Sequence, residues 1–140
     1  MTASRVCSFW VDDILMGIDV LQVTEVVRDV RLVPVPLADP SVSGLLNLRG
    51  RLVTAVDVRH RLDLPTREPG ASAVHIVVPM LGEWMSLVVD REGGVLDLLA
   101  ETCEAVPETI APAIRRHTTA AHQLPTGLLL MLNPESVLAI

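Results

Sequence analysis

Ten prolines and eight glycines punctuate this chain from end to end. That spacing suits many short strands and turns better than long helices. The longest uninterrupted apolar run, Gly127 to Leu132, has the length of a strand and falls far short of the roughly 20 residues a membrane-spanning helix needs. Half of the 140 residues are hydrophobic, yet only Phe9, Trp10 and Trp84 are aromatic. The core is therefore aliphatic, and its many Val and Leu residues favour sheet. The length suffices for one domain with a real core and not for two independent ones.

Eleven basic residues face 17 acidic ones, for a formal charge of −6. With no basic stripe, the counterion release that drives nucleic-acid binding has no source, and a surface anchor on anionic lipid is equally disfavoured. The first ten residues, MTASRVCSFW, lack the apolar core and cleavage site of a signal peptide. Cys7 and Cys103 lie far apart in no metal-like spacing and read as reduced thiols. A cytoplasmic location is expected. The mean hydropathy of +0.47 fits either a thick aliphatic core or an apolar surface covered by a partner.

Along the chain, residues 6–11 and 14–18 read as a hairpin turning at Asp12-Asp13. Asp19 precedes VLQVTEVV with Gln22 three residues on, near the capping-box pattern. Val20, Val23 and Val27 recur at helical spacing, which predicts a short helix over 20–27 with Glu25 off the valine stripe. Residues 31–36 should be extended, because each Pro pushes its predecessor out of the helical region, and Asp39-Pro40 could cap one helical turn. A strand over 51–58 follows, with Asp57 able to cap a short helix through VRHRL. The polar, Pro- and Gly-rich stretch at about 63–73 is the natural midpoint. Strands are expected at 74–79, 84–89 and 94–99, with Gly82-Glu83 as the turn between the first two. Residues 108–122 are ambiguous between helix and loop. LLLML is a strand, and Asn133-Pro134 starts a closing helix. Eight to ten short strands with no βαβ rhythm imply a closed or nearly closed, mostly β architecture. No repeat of fixed period is visible.

Catalytic patterns are missing. His117 and His122 do not share a helical face, and no third ligand stands nearby, so no metal site is expected. Neither cysteine has a local His partner, and no GxSxG, P-loop or GxGxxG occurs. Asp12-Asp13 reads as a solvated turn, and Arg59 and Arg61 as a solvated basic face. No catalytic residue, cofactor site or metal ligand is assigned.

The stretch GLLNLRGRLVTAVDV, Gly44 to Val58, stands apart. Gly44 and Gly50 mark places where the backbone turns or packs closely. Leu45, Leu46 and Leu48 can point into a core. Asn47 and Arg49 cannot be buried unpaired. Asn47 can bond backbone groups and hold the loop. Arg49 is either displayed for binding with little freedom left to lose, or paired internally with a carboxylate such as Glu25 or Asp57.

GLLNLRGRLVTAVDVRHRLDL resembles the signature of CheW-like domains, the chemotaxis coupling proteins. GIDVLQVTEVVR, VRLVPVPLADPSVSG, WMSLVVDREGGVLDL and LLLMLNPESVL resemble further segments of that family in the same order, together covering about residues 7–138. The resemblance implies one CheW-like domain over 1–140, built as two packed, intertwined five-stranded SH3-like β-barrels with a few short helices. It implies a non-catalytic, cytoplasmic adaptor between the cytoplasmic tip of methyl-accepting chemoreceptors and the regulatory domain of a CheA-type histidine kinase. That adaptor would lie in membrane receptor arrays through its partners, and other CheW-like domains could also bind it. Carried onto this chain, the receptor contact is Val23, Glu25 and Val26 on the short helix, with Asn47 and Arg49 on a loop shaped by Gly44, Gly50 and Asp57. Arg49 is expected to sit beside Glu25.

Departures from the family pattern are Ser86 for a usual Gly, Thr54 for a common Pro, and Glu92-Gly93-Gly94 in a usually Val-rich stretch. They are expected to alter the surface of the second barrel. Neither end of the chain suggests an attached receiver or kinase domain, so a stand-alone adaptor is expected. Two other readings are a CheW-shaped interaction module in another complex, and a small-molecule-binding domain using the groove between barrels.

Overall fold

The computed structural model describes residues 3–140. Eleven strands form two curled sheets. The first holds β1 (Ala3–Val11), β2 (Ile14–Asp19), β8 (Arg91–Leu99), β9 (Cys103–Glu104), β10 (Thr118–Leu124) and β11 (Gly127–Leu132), in the order β8-β1-β2-β11-β10-β9. The second holds β3 (Glu25–Arg28), β4 (Val42–Leu48), β5 (Arg51–Asp57), β6 (Val74–Met80) and β7 (Glu83–Val89), in the order β3-β6-β7-β5-β4. We call them barrel 1 and barrel 2. Barrel 1 carries six strands rather than five, because two-residue β9 adds to β10. Every strand of barrel 2 lies, in sequence, inside barrel 1.

Three short helices complete the fold: α1 (Val58–Arg61), α2 (Pro112–Arg115) and α3 (Pro134–Leu138). The Asp57 carboxylate accepts the Arg59 amide at 3.0 Å to cap α1, and the Asn133 side chain accepts the Ser136 amide at 3.4 Å to cap α3. Residues 108–122 resolve into α2 and β10. The helix over 20–27 does not form. Only one 3-10 turn stands there, Val20–Gln22, capped by Asp19, and the chain then enters β3. The valine spacing fitted a helix, but β-branched residues lose little by extending, and β3 pairs with β6 through Glu25↔Val77 and Val26↔Ile76. Asp39 likewise caps no helix. Its carboxylate accepts the Ser41 amide and hydroxyl in a tight turn.

The central strands of each sheet alternate between two apolar surfaces. The inner face of barrel 2 gathers Leu46, Leu48, Val53, Ala55, Val77 and Val88, with Trp84 against them. Among the described residues, the apolar cluster inside barrel 1 is smaller, with Val6, Leu98 and Leu129 buried. By far the largest cluster lies between the barrels: Phe9, Val11, Met16, Ile18, Leu130 and Leu132 of one meet Val56, Ile76, Val78, Leu87 and Val89 of the other. At about 25 cal/mol per Å² of apolar area, this shared layer dominates the hydrophobic stabilisation of both.

The two barrels share one plan. In each, a single parallel contact joins two hairpins, and the register agrees: Thr54 pairs with Met85 as Leu130 pairs with Met16. Glu25 faces Val77 as Gly94 faces Ser8. The capped helices α1 and α3 follow equivalent strands, β5 and β11. In chain order β1, β2, β3, β4 and β5 match β6, β7, β8, β10 and β11, Leu15 to Trp84 being 69 residues and Arg51 to Gly127 being 76, so each barrel combines strands from both halves of the chain. The offset changes by seven residues around the added strand β9, and few side chains match, so the repeat keeps no single period.

Candidate functional site

Arg49 and Gly50 are the two turn residues of the β4–β5 hairpin, flanked by the pair Leu48↔Arg51. Both have positive φ, 52° and 82°, the conformation whose twist matches antiparallel strands. Glycine adopts it freely, whereas arginine does so at a steric cost. Asn47 offsets part of this cost, because its side-chain oxygen accepts the Gly50 amide at 2.9 Å. Gly44 serves a different end. Val33 exchanges two backbone hydrogen bonds with Leu45, both 2.8 Å, which ties the 31–36 segment to β4 and closes barrel 2. A Cβ on Gly44 would stand 2.8 Å from the Val33 carbonyl oxygen, so closure there requires glycine.

Closure carries the Arg49 tip to the first residue of β3. A guanidinium nitrogen of Arg49 lies 2.7 Å from Glu25 Oε1, with the arginine side chain 69% exposed and the glutamate 22%. The pair expected from the sequence is therefore formed, and Arg49 remains displayed. Glu25 and Val26 sit on a strand rather than a helix. Val23 and Val26 are half-buried against the inter-barrel core, which leaves them a shoulder rather than a free apolar face. Of the three leucines, Leu46 and Leu48 are buried while Leu45 points to the opposite face and is half-buried. Leu52, paired across from Asn47, is 70% exposed and was not singled out from the sequence. The alternation that sends Val53 and Ala55 inward was the available signal.

A second cluster fixes the barrels relative to each other. Asp90 is the residue between β7 and β8, where the chain leaves barrel 2 for barrel 1. Arg59 on α1 grips its carboxylate through Nε at 3.1 Å and a terminal nitrogen at 2.8 Å. Arg67 donates from Nε at 2.9 Å, and the Asp12 amide donates from the β1–β2 turn. Burial alone would raise the Asp90 carboxyl, but these donors hold it below the ordinary carboxylate range. Arg59 and Asp90 side chains are each only 16% exposed. Arg61 donates to the carbonyls of Val137, Ser136 and Ala139 at the end of α3. The expectation of a solvated basic face at Arg59 and Arg61 was wrong: charges one turn from a capped helix start reach partners distant in sequence. Asp12 contributes its backbone amide here, while its side chain remains 40% exposed in the turn.

The sequence departures have local reasons. Ser86 is fully buried, and its hydroxyl lies 2.9 Å from Nδ1 of buried His75. Burial, with Arg67 nearby, pushes His75 down to about 4. Glu92 pairs at 2.7 Å with Arg28 of β3. Gly93 is the extra residue where the β1–β8 register shifts, and a Cβ on it would meet the Ser8 hydroxyl at 2.6 Å. The glycine pair thus makes a bulge that bends β8.

Among the described residues no group of three or more His, Cys, Asp or Glu could hold a metal ion, and no helix is long and apolar enough to cross a membrane. Residues 5–140 match the CheW-like domain. The chain belongs to the CheW-like family. Chemotaxis protein CheW of Bacillus subtilis is 27% identical over 109 residues, covering 78% of this chain and 70% of that protein. The CheW protein of Treponema pallidum is 24% identical over 110 residues, covering 76% of this chain and 65% of its own length. The crystal structure of the scaffolding protein TtCheW from Thermoanaerobacter tengcongensis superposes with a TM-score of 0.88 at 21% identity, over 99% of this chain and 94% of that one. The CheW-like fold is therefore present over nearly the whole of this family member.

Proposed function

We propose that this CheW-like chain is a non-catalytic adaptor of chemotaxis-type signalling. It couples the cytoplasmic tip of methyl-accepting chemoreceptors to the regulatory domain of a CheA-type histidine kinase, with residues 1–140 acting as one unit. The observation that carries the coupling role is family membership across residues 5–140, with curated CheW relatives bearing a chemotaxis name. The geometry that favours a receptor face is the Arg49–Glu25 pair. It is a rigid, half-exposed charge pair on a closed barrel, flanked by Asn47, Val23 and Val26. A helical tip laid across it would meet a fixed cation with little ordering entropy left to lose. The barrels would each offer a separate face to kinase regulatory domains, or to other CheW-like domains. The protein is cytoplasmic in this reading, reaches membrane arrays through its partners, neither inserts into lipid nor binds nucleic acid, and uses no cofactor.

The test is a titration of the protein, wild type and Arg49→Ala, into a labelled kinase regulatory domain and into a receptor-tip fragment. The expected result is unchanged kinase affinity with receptor affinity reduced at least about tenfold, the loss of one charge-assisted contact. Binding to neither partner would assign the fold to another complex.

A further inference from the structure

The equivalence of the two barrels exposes a difference at one end. In barrel 2 the interior beside the β4–β5 tip is filled by Trp84, packed on the inner cluster beneath the Arg51 guanidinium, 3.8 Å from the ring centre. The Arg49–Glu25 pair spans the rim above it. The shared register places Leu15 where barrel 2 has Trp84, Ser8 where it has Val77, and Gly127 where it has Arg51. Across from Leu15 it places Trp10, with the Arg91 guanidinium 4.6 Å from its ring centre, where barrel 2 has Pro79. At the rim, Pro125 and Thr126 stand for Arg49 and Gly50, and Gly94 stands for Glu25. Most of these changes remove side-chain volume, and those at the rim remove the ion pair.

What remains in barrel 1 is a half-open cavity of about 350 Å³ whose walls are Trp10, Leu15, Leu96, Leu98, Leu124 and Pro125. Its polar edge is already engaged. The Ser8 hydroxyl donates to the Gly94 carbonyl at 2.6 Å, and Asp97 is paired with Arg5 at 3.0 Å. The charged group of the lining is paired, and the Arg91 guanidinium beside it is stacked on the Trp10 ring, 4.6 Å from its centre.

We propose that this cavity binds a small neutral aromatic molecule of the size and shape of an indole ring. The same strand plan closes around an indole in barrel 2, which supplies the template for the occupant. An apolar pocket in a barrel mouth, with its few polar groups already satisfied, favours such a ring over water. The bound ring would bridge β8 to the β10–β11 tip, the two elements that Arg49 and Glu25 join in the other barrel. The inference goes beyond the adaptor reading and does not depend on it.

The experiment titrates indole into the full chain, reading the melting temperature and the NMR signal of the Trp10 side-chain N–H. Millimolar indole is expected to raise the melting temperature by about 3 °C and to shift Trp10 while leaving Trp84 in place. Benzoate, of similar size but charged, is expected to bind at least about tenfold more weakly. Leu15→Trp, which gives barrel 1 the side chain barrel 2 already has, is expected to abolish the response. Should that variant fail to fold, Leu96→Phe narrows the same cavity and is expected to weaken binding at least about fivefold. No thermal shift and no movement of Trp10 would overturn the proposal. So would an undiminished response in a folded Leu15→Trp or Leu96→Phe protein. Movement of Trp10 by a receptor or kinase fragment but not by indole would also overturn it, and would make the cavity a protein contact.

Discussion

Barrel 2 and barrel 1 are built on one strand plan in one register, yet they are finished differently. Barrel 2 is packed inside, sealed by Trp84 under Arg51 and tied at its rim by Arg49 and Glu25. Barrel 1 has a thin interior, an open mouth and a bulged strand at its edge. The difference teaches where stability and function separate in this fold. Both barrels lean on the layer between them and on Asp90, so neither needs a perfect interior of its own. Each mouth is then free to carry chemistry: a fixed charge pair in one, an apolar hollow in the other.

The largest expected effect comes from breaking the joint on which both barrels rely. Asp90→Ala strands Arg59 and Arg67 in largely buried positions, and removing one partner of such a network costs about 3–5 kcal/mol. Urea unfolding should show a single transition shifted to lower denaturant. Two separated transitions would mean that one barrel is stable alone and that the comparison of interdependent halves fails.

Acid should come next. Unfolded histidine titrates near 6.5, whereas His75 in barrel 2 is held at about 4. Between those values the unfolded chain binds a proton that the folded chain refuses, so stability is full above about pH 6.5 and falls as pH drops toward 4. The loss from His75 alone is about 3 kcal/mol. His117 and His122 of barrel 1 are lowered in the same direction, chiefly by burial. His75→Gln should flatten most of the pH dependence measured by thermal unfolding. An unchanged slope would transfer the acid sensitivity to barrel 1.

Converting one barrel toward the other sharpens the contrast. Trp84→Leu gives barrel 2 the residue that barrel 1 carries, and should cost about 2 kcal/mol for lost packing. Added indole should then restore part of the melting temperature. The smallest effect on stability is that of Arg49→Ala, under about 0.5 kcal/mol for a largely exposed ion pair. A loss several times larger in chemical denaturation would make the rim pair a structural clasp rather than a displayed contact.

Much of this architecture was legible in the residues. Alternating aliphatic runs between Gly and Pro gave the strands. Asp57 and Asn133 gave two helix starts, and the grouping of Asn47, Arg49 and Gly50 marked the stretch that meets Glu25. The loop expected over 44–50, however, is strand β4 as far as Leu48, with only Arg49 and Gly50 turning. The 20–27 segment misled because valine spacing of three and four fits a helix, while the decisive fact, an open edge on β6, lies 50 residues away. Asp90 was invisible for the same reason. An aspartate after an apolar strand looks like a turn residue until Arg59, Arg67 and the Asp12 amide converge on it. The repeat went unseen because its halves share almost no side chains, only a pairing register, and their offset shifts around β9.

The nesting of one barrel inside the other also sets an order of manufacture. Barrel 2 is complete once residue 89 has left the ribosome, whereas β1 and β2 receive β10 and β11 only after residue 132. At the usual 5–20 residues per second, the first hairpin waits on the order of 5–20 s for the strands that cover it. Over the last part of that wait, the roughly 2–9 s between residues 89 and 132, barrel 2 is the surface against which β1 and β2 can shelter their apolar face, so the half made second is templated by the half made first.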